Sequence, residues 1–184
     1  MNKLRSKLYM KVNPETKEII YTGIEFAEFQ RFLLHPIQNM ILLNGNYEGN
    51  KHYHNFKILE GSKEITNLTK ENIYNFGDFH FLDYAIKGAD EKLSGQQIAE
   101  LLYITHMWEP LNAPYFKELE NRFAYLAHDD GWFCKLYCND LSEFMHVFLR
   151  KITLSLSVKE MKNSIEAEEQ LLRLAISGIL VDLD

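Results

Sequence analysis

The stretch Asn121 to Cys138, NRFAYLAHDDGWFCKLYC, restricts the folds open to this chain more than any other. Two apolar runs meet at Asp130-Gly131. A type I′ turn needs positive φ at both central residues, which Asp tolerates and Gly adopts without a Cβ penalty. A three-residue loop, Asp129-Asp130-Gly131, is the alternative. Either way the sequence predicts a β-hairpin. On its incoming strand Phe123, Tyr125 and Ala127 share one face, with Arg122, Ala124, Leu126 and His128 on the other. On the outgoing strand Trp132, Cys134, Leu136 and Cys138 oppose Phe133, Lys135 and Tyr137. Neither face is cleanly polar, so the hairpin is expected to be covered on both sides.

The flanking sequence supplies the covers. Lys7 to Val12 and Glu18 to Ile24, around Asn13-Pro14-Glu15-Thr16, read as an N-terminal hairpin. Glu25 to Leu34 has helical spacing and stops before Pro36. Met40 to Leu43, His52 to Leu59 and Phe79 to Tyr84 read as strands, and Leu68 to Asn75 as a short helix capped by Thr69. From Ser94 the signals turn helical. Ser94-Gly95-Gln96-Gln97, Asp140-Leu141-Ser142-Glu143 and Ser157-Val158-Lys159-Glu160 each have capping-box spacing. The second opens a stripe of Leu141, Phe144, Met145, Phe148 and Ile152. Pro114 to Glu120 reads as a short helix, and residues 158–181 as a C-terminal helix that docks on the core or pairs with a second copy. The expectation is one α+β domain over residues 1–184: a mostly β N-terminal half with a short helix, then helices packed on the hairpin.

Composition enters where it excludes functions. A net charge of −6, from 26 acidic against 20 basic residues, argues against a nucleic-acid binder, which should carry a basic stripe. No apolar run approaches the ~20 residues of a membrane helix. The start, MNKLRSKLYMKV, is basic without the apolar stretch of a signal peptide, and two cysteines are compatible with reduced thiols, so a cytoplasmic protein is expected. Fifteen Lys to five Arg suggests an AT-rich bacterial genome. No phosphate-binding glycine loop, nucleophile elbow or His-Glu-x-x-His motif occurs.

Several groups could carry chemistry. His52-Tyr53-His54 puts two imidazoles on one face of a strand, and Asp78 and His80 share a face of another; together they could hold a divalent ion. The His-x-His pair resembles the first motif of the cupins. However, Glu60 follows after five intervening residues rather than three or four, and the second motif has no counterpart, so the resemblance carries no site over. Trp108, at the end of the Ser94 helix and ahead of Pro110, is expected to pack. Cys134 and Cys138 on one strand stand ~13 Å apart at ~3.3 Å per residue, too far to bond, and are expected to be buried thiols.

His128-Asp129-Asp130-Gly131-Trp132 serves first as a turn, and second as a recognition tip of carboxylates beside aromatics. The reading that follows is a non-enzymatic binding or regulatory protein, of the immunity-inhibitor kind, acting through a protein partner. Its contact residues would be His128, Asp129, Asp130 and Trp132, with Tyr125 and Tyr137 nearby. No cofactor is predicted. The alternatives are a small metal-dependent enzyme using His52, His54, Asp78 and His80, and a small-ligand sensor.

Overall fold

The computed structural model describes residues 7–43, 56–70, 79–128, 133–156 and 178–182. Eight strands lie in one sheet: β1 (Lys7–Asn13), β2 (Glu18–Thr22), β3 (Asn39–Leu42), β4 (Lys57–Glu60), β5 (Phe79–Tyr84), β6 (Phe123–His128), β7 (Phe133–Cys138) and β8 (Ile179–Asp182). Their spatial order is β4-β3-β5-β6-β7-β2-β1-β8, and every neighbouring pair is antiparallel. The described helices are α1 (Phe26–Phe32), α2 (Ser62–Leu68), α3 (Gly95–Met107) and α4 (Leu141–Leu156), with a 3₁₀ turn at Ala89–Lys92. This is an α+β fold.

The predicted hairpin is β6–β7, at the centre of the sheet, with Phe123 opposite Cys138 and His128 opposite Phe133. The turn itself, Asp129 to Trp132, lies outside the described residues. Both faces are covered, as the mixed pattern implies. Phe123, Tyr125 and Leu136 join one apolar cluster with α1, α2 and α4. Ala124, Leu126 and Tyr137 join a second with α3 and the segment after it.

At the other end of the sheet the pattern is one-sided. Leu8, Met10 and Val12 are buried, whereas Lys11 and Asn13 are exposed and Tyr9 is half-buried. Such alternation marks a strand with one wet face.

Aromatic rings fill the first cluster. Tyr125 stacks on Phe81 at 4.8 Å and 15°, and meets Phe26 and Phe29 at 5.7 and 5.4 Å. These separations lie in the range where ring pairs add about 0.5–1.5 kcal/mol beyond their burial. Helix starts follow local chemistry. Ser94 Oγ accepts from Gln97 N, and Gln97 returns to Ser94 N, the reciprocal cap its spacing predicts. Asp140 Oδ1 accepts from Ser142 N at the start of α4, while Glu143 turns to Arg122.

Three expectations are corrected. A short helix forms over Ser62–Leu68, ahead of the one read from Leu68 to Asn75, and Thr69 closes it rather than opening it; residues 71–75 lie outside the described residues. Gly61 at φ 100° ends β4, and the helix starts at once, burying Ile65 and Leu68. Pro114 to Glu120 forms no helix but an irregular segment ending in a turn. There Asn121 Oδ1 accepts from Phe116 N and its amide donates to the Pro114 and Phe123 carbonyls, offering the backbone partners a helix would otherwise supply. The C-terminal helix does not reach 181, because Ile179–Asp182 is a strand paired with β1 of the same chain. A short Ile-Leu-Val run after Gly178, at φ 89°, is apolar in either secondary structure, and its β-branched residues favour the strand. The Ser157 capping box lies outside the described residues.

Candidate functional site

The end of the sheet at which the hairpin turns meets the C-terminus of α3. β5 brings His80, β6 His128, and β7 Phe133 and Lys135, all on the face that α3 covers. His80, a candidate metal ligand from the sequence, is 1% exposed. Its strand is buried on both sides at the middle of the sheet, so even its polar positions lie under a layer.

His80 Nε2 lies 3.1 Å from the Ala127 carbonyl. A carbonyl only accepts, which assigns the ring proton to Nε2. Burial, with the neighbouring His128 second, lowers the His80 pKa to about 4 and keeps the ring neutral at pH 7. The two imidazoles are 5.2 Å apart, and His128 stacks on Phe133 at 5.0 Å and 22°.

Trp108 stands edge-on to His80, with ring centroids 6.4 Å apart. It is the residue that ends α3, at φ 60°, with its N–H bonded to Ile104 O at 2.8 Å. Helices commonly end with a residue in this left-handed conformation, and glycine is the usual occupant. A bulky side chain there is strained. Trp108 is nonetheless 51% exposed, beside Met107 at 52% and Leu111 at 65%. The sequence reading had Trp108 packing, because an aromatic close to a proline carries no sign of which way it faces. Glu109 holds the flank: Lys135 Nζ donates to its Oε1 at 2.6 Å, and that bond lowers the Glu109 pKa.

A second polar cluster lies on the opposite face. Asp83 accepts from Arg122 N at 2.8 Å, Phe123 N at 2.7 Å and Arg122 Nε at 3.0 Å. Arg122 Nη1 reaches Glu143 at 2.7 Å and the His35 carbonyl at 2.9 Å. Burial raises the Asp83 pKa to about 6 against the pull of Arg122 and the backbone donors. Both carboxylate oxygens are committed, so the cluster clamps β5, the start of β6 and α4. Nothing in the sequence pattern announced it, since its members are far apart in the chain. Burial likewise pushes the Cys134 thiol up to about 12 and raises Cys138, and both are free and buried.

Comparison with protein-family models, curated proteins and solved structures finds no match to this chain.

The sequence-predicted residues are therefore placed by geometry alone. His52, His54 and Asp78 lie outside the described residues, and the fourth proposed metal ligand, His80, is enclosed. Among the described residues no group of three or more His, Cys, Asp or Glu is arranged to hold a metal ion. Asp129, Asp130 and Trp132 also lie outside them. His128 is half-buried at the last described position before the turn. Tyr125 belongs to the aromatic core at 1% exposure, and Tyr137 is buried with its hydroxyl donating to Glu18 at 2.9 Å. Neither tyrosine offers the contact surface expected of it, because the hairpin has layers on both faces. No described helix is long and apolar enough to cross a membrane.

Proposed function

We propose that this chain is a non-enzymatic binding protein whose partner is another protein. The partner docks on the surface formed by the end of α3 and the hairpin end of the sheet. The observation that carries the reading is Trp108, a large aromatic exposed by half at a backbone position that favours glycine. Strained positions of this kind concentrate where a structure is used rather than merely held together. Tryptophan is also among the residues that dominate binding energy at protein interfaces.

Met107 and Leu111 extend the apolar patch. Asp129 and Asp130, which follow His128 in the sequence, and a net charge of −6 suit a basic partner. Two free thiols fit a reducing compartment such as the cytoplasm.

Quantitative affinity enrichment from the source cells tests this, using wild-type protein beside Trp108→Ala and the double charge reversal Asp129→Lys, Asp130→Lys. A specific partner should be retained by wild type and depleted with both variants. Identical profiles for all three would refute the surface.

A further inference from the structure

The described residues include four methionines, and the fold treats one of them differently. Met10 and Met40 lie in strands at 0% exposure and Met145 in α4 at 1%, all three in the same apolar cluster. Met107, the last residue of α3, is 52% exposed and directly precedes Trp108. A peroxide in solution therefore reaches Met107 in the folded protein, whereas it reaches the other three only through opening of the core.

The chemistry of such a meeting is a two-electron oxidation. A sulfur lone pair attacks one oxygen of hydrogen peroxide, the O–O bond breaks and an S–O bond forms. The proton on the transferred oxygen passes to the departing hydroxide, which leaves as water. Sulfur is oxidised and the peroxide reduced. The product replaces a flexible apolar side chain by a polar one, and thiol-dependent sulfoxide reductases reverse the change. The change is confined to the side chain, so the backbone bond that ends α3, from Trp108 N to Ile104 O at 2.8 Å, stays in place. What it alters is the apolar patch around Trp108, where a docked partner would bury a sulfoxide oxygen without a donor for it.

We propose that Met107 is a redox modification site: peroxide converts it selectively to the sulfoxide, and the sulfoxide turns off docking at the end of α3. The second half rests on the reading of that end as a protein-binding surface and gives the surface a regulator.

Full-length wild-type protein is treated with graded hydrogen peroxide, natively and in urea, and its peptides are followed by mass spectrometry. In the native protein the Met107 peptide should gain one oxygen at least about tenfold faster than those carrying Met10, Met40 and Met145, and in urea the four rates should converge. Equal native rates would overturn the site. Partner enrichment is then compared before and after treatment, with peroxide removed first, for wild type and for Met107→Leu. Oxidised wild type should retain at least about tenfold less partner than its untreated sample, as burial of an unpaired polar group implies. Met107→Leu should retain equal amounts before and after. Undiminished retention by oxidised wild type, or equal loss in Met107→Leu, would overturn the switch. Failure of untreated wild type to hold any partner would refute the docking surface and the switch together, while the peptide rates decide the oxidation site independently.

Discussion

His80 and Asp83 stand three residues apart on β5, on opposite faces of the sheet, and burial moves their proton affinities in opposite directions. His80 titrates near 4 when folded against 6.5 when unfolded, so between those values the unfolded chain binds the extra proton and acid removes stability. Asp83 titrates near 6 folded against 3.8 unfolded, so the folded chain binds the extra proton and acid adds stability. Each shift corresponds to roughly 3 kcal/mol at full development. The two contributions therefore oppose each other across nearly the same window. Urea unfolding at a series of pH values from 7 to 4 separates them. His80→Gln should become relatively more stable toward acid, and Asp83→Asn relatively less. Equal pH slopes in the two variants would show that burial does not control these groups as described.

At the level of elements, the parts legible in the sequence are those whose signal is local. The Asp-Gly turn between alternating strands gave β6 and β7, and Ser94 with Gln97 gave the start of α3. Ser94→Ala should therefore lower stability by about 1 kcal/mol in urea unfolding, through the loss of an N-cap. No change would mean that packing alone holds the start of α3. Elements decided by distant partners were misread. Residues 114–120 look helical until Asn121 is seen to take their backbone groups, and Ile179–Asp182 looks helical until β1 is seen to pair with it. The candidate site divides in the same way. His128 at the hairpin end was legible, whereas the exposure of Trp108 and the burial of His80 depend on which layer covers which face. No residue-by-residue pattern carries that information.

Over the whole molecule, one sheet between two helical layers explains where the aromatic residues go. Most of the named rings sit on the α1–α4 side, with Tyr125 near their centre. Tyr125→Ala should cost about 3–5 kcal/mol of stability, as large-to-small changes in packed cores do. A stable variant that had lost only partner binding would instead restore Tyr125 to the contact surface. Among the described aromatic residues Trp108 is the one that is exposed, and the functional reading depends on it.

The most direct test of that reading takes the partner recovered by enrichment, purified, and measures its affinity for wild type, Trp108→Ala and Trp108→Gly, with the thermal stability of each. Glycine accepts φ 60° and alanine does not, so the glycine variant should be the more stable of the two by about 1 kcal/mol. Both should bind at least about tenfold more weakly than wild type, as loss of an interface tryptophan does. Undiminished affinity in the glycine variant, or affinity that simply follows melting temperature across the three proteins, would contradict the account.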